Sequence, residues 1–335
     1  MTVLVNEEPE EGYQLLHVHD LPQLYTKPKY PVLLRTLQIL RRSGYSFDGY
    51  ASRDEPQPSV DEVGVPRYLT NIISSPLDWL TDEQRETVLQ LTAQRLAERS
   101  GRNAAPSMTR LFRVTEDLTI RLHEPSLTED SLGLKTWTSS LLLARRLDDM
   151  KRFLPRGAIT VLELGAGTGL VGLSAAHLWK DRTSQVLLTD LPQIVPNTQR
   201  NIDAVVSEQS CSERAGCQIV SGVLDWSTTD KPEFCHDVIL AADPIYDREH
   251  PRMFVDTVER HIVKSADARL ILEMPVREAY AEERKDLRDR LERIMTVVEE
   301  GQEVGYDDWE GRDGQPLEVV CWWSVWRLTQ FSGMH

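Results

Sequence analysis

Cysteine is scarce in this chain of 335 residues, which contains four: Cys211, Cys217, Cys235 and Cys321. Their spacing is not that of a zinc site, and a chain of this length does not need a disulfide framework to hold its core together. We therefore expect reduced thiols and no metal site. Long apolar runs are also lacking, because no uninterrupted run is long enough to cross a bilayer. We expect no membrane segment.

Positive charge is in deficit as well. Lysine and arginine number 38 against 53 aspartate and glutamate residues, which makes the formal net charge −15. Such a chain lacks the basic face that non-specific binding to nucleic acid requires. Its first residues, MTVLVNEEPEEGYQLL, carry acids where a signal peptide would carry basic residues. We expect a cytoplasmic monomer that makes no direct contact with nucleic acid.

Residues 1–110 have the pattern of a mainly helical accessory region. Helical spacing is present at 28–45, and residues 81–101 read as a helix that a capping pair, Thr81 with Gln84, begins. Residues 47–68 are rich in proline, glycine and charge, which predicts a loop.

Residues 111–335 have the pattern of an α/β domain. Alternation at 111–135 predicts a β-hairpin and residues 136–154 an amphipathic helix. Five apolar segments then alternate with stretches of crossover length, which predicts a doubly wound parallel sheet with helices on both faces. They are Ile159–Leu164, Gln185–Thr189, Cys217–Val220, Asp237–Ala242 and Ala268–Glu273. The late segment LEVVCWWSVWRLT (317–329) predicts an antiparallel edge hairpin.

The loop after the first of these strands, in LELGAGTGLVGLSAAHL (162–178), predicts a nucleotide-type ligand. Its glycines follow a G-x-G-x-G spacing, not the G-x-G-x-x-G of dinucleotide folds. Glu163 precedes them, and its carboxylate would repel a pyrophosphate but attract the ammonium and sulfonium of S-adenosylmethionine (SAM). Asp190, at the tip of the second strand, is placed to accept hydrogen bonds from two ribose hydroxyls. These features favour SAM over NAD.

A second loop follows the strand at 237–242. Asp243-Pro244-Ile245-Tyr246 stands at its carboxyl end, the edge at which such sheets bind ligands. We expect Asp243 and Tyr246 to lie near the methyl-donor end of the cofactor.

Together, LELGAGTGLVGL, TDLPQIVPNTQRNI, VLDW and AADPIY resemble the seven-β-strand lysine methyltransferases called methyltransferase family 16. The segment GLKTWTSSLLLARRL is similar to the Trp-bearing upstream segment of that family. The resemblance covers residues 110–330 and implies a seven-stranded, Rossmann-like methyltransferase sheet. Within the family, the chain looks most like the fungal enzymes that methylate translation elongation factors, in particular elongation factor 2, with elongation factor 3 as another candidate.

The resemblance also implies roles for single residues. Asp243 and Tyr246 would receive the substrate lysine and act in catalysis. By chemistry alone, Trp137 and Trp226 are more often core aromatics than cofactor contacts, and only the resemblance favours the cofactor site for both. The implied cofactor site consists of Trp137 on the upstream helix, Gly165, Gly167 and Gly169 with Glu163 behind them, Asp190 at the ribose, Asp225 and Trp226 beside the adenine, and Ala242.

Two other functions stay open at this level. A methyltransferase of a nucleic-acid base or small amine would use a loop similar to Asp-Pro-Ile-Tyr, although the second proline of the base-methylase pattern is missing and no basic stripe with aromatic residues is present. A non-catalytic SAM-binding scaffold is the third possibility, which the presence of Asp243 and Tyr246 disfavours.

Overall fold

A computed structural model describes residues 16–41, 60–99, 107–126, 132–208, 217–310 and 316–329. These residues fall into two compact units, one up to residue 99 and the other from residue 107 onward. The first fifteen residues, most of the predicted loop at 47–68, and Cys211 lie outside the described residues.

The first unit is built from helices α1 (Tyr30–Ile39), α2 (Val65–Ser74) and α3 (Asp82–Ala97) around an apolar core of their own. The predicted capping pair is confirmed, since Thr81 Oγ1 accepts from Gln84 N–H and the Gln84 side chain accepts from Thr81 N–H. The loop prediction was wrong over its last four residues, because α2 begins at Val65. Pro66 lies in the first turn of this helix, where a missing N–H leaves no hydrogen bond unmade.

The second unit is an α/β domain. Its strands and helices are, in chain order, β1 (Met108–Arg113), β2 (Thr119–Glu124), α4 (Thr138–Met150), β3 (Ile159–Leu164), α5 (Leu170–Leu178), β4 (Thr183–Asp190), α6 (Val195–Glu208), β5 (Gln218–Val223), β6 (Val238–Ala242), α7 (His250–His261), β7 (Arg269–Pro275), α8 (Ala281–Ile294), β8 (Met295–Glu310) and β9 (Pro316–Leu328).

Seven of these strands form one sheet in the order β5-β4-β3-β6-β7-β9-β8. The pairs from β5 to β7 are parallel, whereas β9 is antiparallel to both of its neighbours. The predicted fold class is confirmed, with one refinement: β9 inserts between β7 and β8 instead of ending the sheet. The first hairpin, β1–β2, forms a separate two-stranded sheet.

The two faces of the large sheet bury separate apolar cores. One face packs against α4, α5 and the β1–β2 hairpin, and the other against α7 and α8. Strand order reverses between β3 and β6, because the chain winds from β3 toward β5 on one side and from β6 toward β7 on the other. Ligands of such sheets bind outside the carboxyl ends of the strands at this reversal. The glycine loop and Asp243 follow the two strands that meet there.

Candidate functional site

The glycine loop between β3 and α5 adopts a left-handed backbone at three alternating positions. Gly165, Gly167 and Gly169 have φ values of +68°, +56° and +89°. A Cβ atom on Gly167 would lie 2.8 Å from the carbonyl oxygen of Gly133, and one on Gly169 would lie 2.9 Å from Leu188 Cδ2. Both the backbone conformation and the close approaches therefore require glycine.

Asp190, the last residue of β4, holds this loop in place. Its Oδ2 accepts a hydrogen bond from Gly167 N–H at 2.8 Å, and its Oδ1 accepts one from Leu191 N–H at 2.7 Å. Burial raises the pKa of Asp190, while these two hydrogen bonds oppose the rise. Each carboxylate oxygen has a second lone pair, so the side chain can accept hydrogen bonds from a diol as well.

Glu163 lies behind the loop and faces α5. Its carboxyl is almost fully buried, and its Oε2 accepts from Gly172 N–H at 2.8 Å. Burial raises its pKa to about 8, with the nearby charge of Asp190 adding to the effect. A carboxyl with this pKa is mostly protonated at neutral pH, which weakens the electrostatic attraction argued from the sequence. Direct action of Glu163 on a cofactor stays a prediction; in the structure it supports the loop–helix junction.

Three buried polar side chains that the sequence reasoning missed also hold the loop. Thr198 donates from Oγ1 to the carbonyl of Gly167 at 2.7 Å, and Asn201 donates from Nδ2 to the carbonyl of Thr168 at 2.9 Å. Thr136 and Thr168 share a hydroxyl hydrogen bond of 2.8 Å. Thr198 and Asn201 could have been suspected from the sequence, because they are polar residues three positions apart on an otherwise amphipathic helix.

Trp226 closes one side of the loop. A Cβ on Gly165 would lie 3.4 Å from its ring, so the ring and the glycine backbone face each other. The ring is edge-on to Phe254 at 5.5 Å and to His250 at 5.9 Å between centroids. Asp225, by contrast, folds back on its own turn, where Oδ1 accepts from Ser227 N–H at 2.8 Å. The structure therefore brings Trp226 to the loop, while the hydrogen bond of Asp225 is local.

Asp243 follows Ala242, the last residue of β6, and has a φ of +50°. A positive φ is uncommon outside glycine, although aspartate tolerates it better than most residues, and such positions cluster at functional sites. Its N–H donates to the carbonyl of Glu273 at 2.8 Å, which ties the turn to β7. The Asp243 side chain is 10% exposed, with Oδ2 at 3.6 Å from Arg277 Nη2.

Tyr246 joins Asp243 at the same edge. Its ring is half exposed and packs edge-on against His250, with 4.3 Å between centroids. His250 also accepts from Tyr246 N–H through Nδ1 at 3.4 Å, and burial lowers the pKa of this imidazole. Burial raises the pKa of the Tyr246 phenol, and the charges of Asp190 and Asp243 raise it further. The phenol is thus within electrostatic range of both carboxylates.

Trp137 is the N-cap residue of α4. The guanidinium of Arg277 lies over its indole ring, 5.4 Å from the centroid. Arg277 therefore contacts two of the residues singled out from the sequence, Trp137 and Asp243, although no sequence motif includes it. No pattern could have identified it, because 140 positions separate it from Trp137 and only the fold brings the two together.

Two kinds of feature are absent from the part of the chain that the structure describes, a metal-binding cluster and a membrane-spanning helix. Within residues 16–41, 60–99, 107–126, 132–208, 217–310 and 316–329, no group of three or more His, Cys, Asp or Glu side chains is arranged to hold a metal ion. In the same part of the chain, no helix combines the length and the apolar character needed to span a bilayer.

A family model described as lysine methyltransferase matches residues 115–287, slightly more than half of the chain. The chain belongs to the lysine methyltransferase family. Its relatives include the protein-lysine N-methyltransferase rrg1 of Schizosaccharomyces pombe, which is 31% identical over 93% of this chain and 99% of its own length. The protein-lysine N-methyltransferase EFM2 of Saccharomyces cerevisiae is 38% identical over 69% of this chain and 58% of its own length.

A third relative of this lysine methyltransferase covers less of it. EEF1A lysine methyltransferase 3 of Xenopus tropicalis is 30% identical over 37% of this chain and 50% of its own length. The prediction of a protein-lysine methyltransferase is thus confirmed at the level of the family.

The family implies SAM as the methyl donor, and the residues of this lysine methyltransferase fit it. Gly165, Gly167 and Gly169 let the backbone turn tightly at the carboxyl end of β3, the edge at which such sheets bind their ligands, and the Trp226 ring lies beside Gly165. Asp190 keeps lone pairs for the two hydroxyls of a ribose. The carboxylates of Asp190 and Asp243 suit a ligand that carries an ammonium and a sulfonium and has no phosphate.

Proposed function

We propose that this chain transfers a methyl group from SAM to the ε-amine of a lysine in a translation elongation factor, elongation factor 2 first and elongation factor 3 second. The observation that carries the proposal is the meeting of two loops at the strand reversal. The glycine loop after β3 and the Asp243–Tyr246 turn after β6 leave the sheet at neighbouring strands.

The cofactor would be held from several elements of the second unit. Asp190 would accept hydrogen bonds from the ribose hydroxyls, and Asp243 and Tyr246 would face the methyl group. The remaining contacts are proposed for Gly165, Gly167 and Gly169 around the methionine part, with Glu163 behind them, Asp225 and Trp226 at the adenine, and Trp137 and Ala242 along the side. When bound, SAM supplies a methyl group activated by the sulfonium, whose sulfur keeps the electron pair as the bond to carbon breaks.

Asp243 would orient the lysine nitrogen. A free lysine has a pKa of about 10.4 and must lose a proton before its lone pair can attack. Partial desolvation in the site favours the neutral amine, and the proton leaves to solvent. The carboxylate of Asp243 can then accept a hydrogen bond from the neutral amine and aim its lone pair at the methyl carbon. Tyr246 bounds the pocket and packs on the alkyl chain, so positioning supplies most of the rate.

The proposed substrate class is supported by the name of one relative and by the likeness to the fungal enzymes. The relative named EEF1A lysine methyltransferase 3 carries an elongation factor in its name, which supports an elongation factor as the class of substrate. The likeness of the chain to the fungal enzymes supports elongation factor 2 in particular. We propose a cytoplasmic monomer, in which residues 1–110 form an accessory region that recognises the folded protein substrate.

The test is transfer of radiolabel from SAM into an extract of fungal cytosol that lacks this enzyme. Wild type is compared with Asp243→Ala and with Asp256→Ala, which removes a half-exposed carboxylate on α7. We expect one labelled protein of the size of elongation factor 2 with wild type and Asp256→Ala, and none with Asp243→Ala.

The proposal is contradicted if the radiolabel is found in RNA, or if SAM binds and no molecule is labelled. Label in RNA would favour the base methyltransferase, and SAM binding without any label would favour the scaffold. Calorimetric titration with SAM must show that Asp243→Ala still binds the cofactor, and full turnover by that variant would remove Asp243 from the mechanism. A chain starting near residue 110 that still methylates the full-length partner would contradict the role of the accessory region.

A further inference from the structure

Arg277 stands between two parts of the candidate site. It follows Pro275, the end of β7, by two residues, and its backbone carbonyl accepts from Arg284 Nη1 at 2.9 Å. Its guanidinium lies 5.4 Å from the ring centroid of Trp137 and 3.6 Å from Asp243 Oδ2. A guanidinium over an indole face is a favourable arrangement. Arg277 is therefore positioned by three contacts: the hydrogen bond to its backbone carbonyl, the packing of its guanidinium on Trp137 and the ion pair with Asp243.

Most of the ionisable side chains around Asp243, among the described residues, are acids. Asp190 on β4 and Asp247 in the same loop reach the neighbouring Tyr246 electrostatically. Burial raises the pKa of the Cys321 thiol on β9, the charges of Glu273 on β7, Asp243 and Glu303 on β8 add to the rise, and Arg277 opposes it. Burial and the charge of Glu303 raise the pKa of Glu273 well above its usual range.

A second cation nearby, Arg146 on α4, is already engaged. Its Nε donates to Glu303 Oε1 at 2.9 Å, and its guanidinium lies 4.5 Å from the ring centroid of Trp323. Arg277, by contrast, is 37% exposed and directs its charge at the carboxylate proposed to receive the substrate.

This arrangement matters because a lone carboxylate would work against the reaction. Asp243 by itself would stabilise the lysine as an ammonium ion, which has no lone pair. A nearby positive charge disfavours a second cation, so the guanidinium lowers the pKa of an ammonium group that binds at Asp243. Arg277 cannot take the proton itself, since a guanidinium stays protonated in proteins; it acts through its charge.

We propose that Arg277 is a positioning residue that makes Asp243 receive the neutral lysine amine in preference to the ammonium ion. The inference rests on the proposed function and goes further, because it assigns the selection of the reactive protonation state to a residue outside the two loops. Removal of Arg277 takes this positive charge away from Asp243, so the ammonium ion is bound more tightly and a smaller fraction of the bound lysine is in the reactive neutral form.

The first test needs no protein substrate. Sinefungin is a SAM analogue with an amine where SAM has its methylated sulfur, and S-adenosylhomocysteine has a neutral sulfur there. The ratio of their affinities, measured by calorimetry at pH 7, reports how well the site accepts a cation at the point of transfer. For Arg277→Gln we expect this ratio to shift about tenfold toward sinefungin. Arg277→Lys keeps the charge and should keep the ratio close to that of wild type.

Arg290→Gln is the matched control, because it removes a cation on α8 whose partner is Asp286. It should leave the ratio unchanged. An unchanged ratio in Arg277→Gln, with intact binding of S-adenosylhomocysteine, overturns the inference and leaves the proposed function standing. Failure of wild type to bind S-adenosylhomocysteine at all would contradict the proposed function and the inference with it.

The second test is the pH profile of lysine methylation. In Arg277→Gln we expect kcat to fall at pH 7 and to recover as the pH rises, with its acidic limb displaced upward by about one unit. KM for the protein substrate should stay the same or decrease. A purely structural role would lower kcat by the same factor at every pH, and a docking role would raise KM; either result would overturn the inference.

Discussion

Asp190 Oδ2 and Gly167 N–H are joined by a hydrogen bond of 2.8 Å across 23 positions of the chain. The bond connects the tip of β4 with the turn that leads from β3 into α5. The glycine loop and the second acid, which the sequence shows as separate motifs, are therefore one structural unit. A substitution at either residue should therefore disturb the position of the other.

Substitution Asp190→Ala should weaken SAM binding by about 10- to 100-fold, because it removes a charged acceptor used by the loop and available to a ribose. Asp190→Asn keeps one acceptor oxygen for Gly167 N–H, so its affinity for SAM should lie between those of Asp190→Ala and wild type. Calorimetric titration with SAM measures the effect. Equal affinities for Asp190→Ala and wild type would show that this carboxylate does not bind the cofactor.

Substitution Gly167→Ala should cost more stability than Gly157→Ala, although both glycines have a positive φ. A Cβ on Gly157 meets nothing within 4 Å, whereas one on Gly167 lies 2.8 Å from a backbone oxygen. We expect about 1 kcal/mol for Gly157→Ala and about 2–4 kcal/mol for Gly167→Ala, from strain and overpacking together. Urea unfolding measures both, and the idea fails if the two variants have the same free energy of unfolding.

Substitution Glu163→Gln should change how stability depends on pH. The folded-state pKa is about 8, against 4.5 for the free group. Between pH 4.5 and about pH 8, Glu163 is ionised in the unfolded chain but protonated in the folded chain. The free energy of unfolding of wild type therefore declines as the pH rises through this range. Glu163→Gln removes the titration and should be more stable than wild type by a few kcal/mol at pH 8. Glu259→Gln, an exposed change on α7, serves as the control; parallel curves for Glu163→Gln and wild type would refute the prediction.

Substitution His236→Gln should protect the fold against acid. Burial, with the nearby charge of His261, lowers the pKa of His236 to about 4 from 6.5. The stabilising effect of keeping it neutral is complete above pH 6.5 and is lost as the pH falls through 4. Wild type should lose about 3 kcal/mol more than the variant over this range. Thermal unfolding at pH 7 and pH 4 compares the two, and an equal loss of stability in both would argue against a buried neutral histidine.

Local patterns in the sequence were sufficient for much of the fold. Strand Ile159–Leu164 was predicted at its observed bounds, since this apolar run has the length of a strand, includes β-branched residues and ends at a glycine-rich turn. The Thr81 cap was readable because both of its hydrogen bonds are made within four residues. Pro66 was misread as a loop residue, because proline marks a turn and the first turn of a helix equally well. The late hairpin was predicted and β8 pairs with β9 in antiparallel fashion, but the bounds of β8 were not predicted, since the charged stretch at 299–310 does not alternate like a half-buried strand.

The sequence by itself determined the chemistry that the protein carries: the glycines, the acids at the carboxyl ends of β4 and β6, and the family that these motifs identify. The tertiary structure decided what those residues contact. Glu163 faces the first turn of α5, His250 stands against Tyr246, and Arg277 bridges Asp243 and Trp137. Sequence motifs report the backbone conformation over a few neighbouring residues, whereas these contacts depend on strand order and sheet register, which place residues far apart in the chain within a few ångströms.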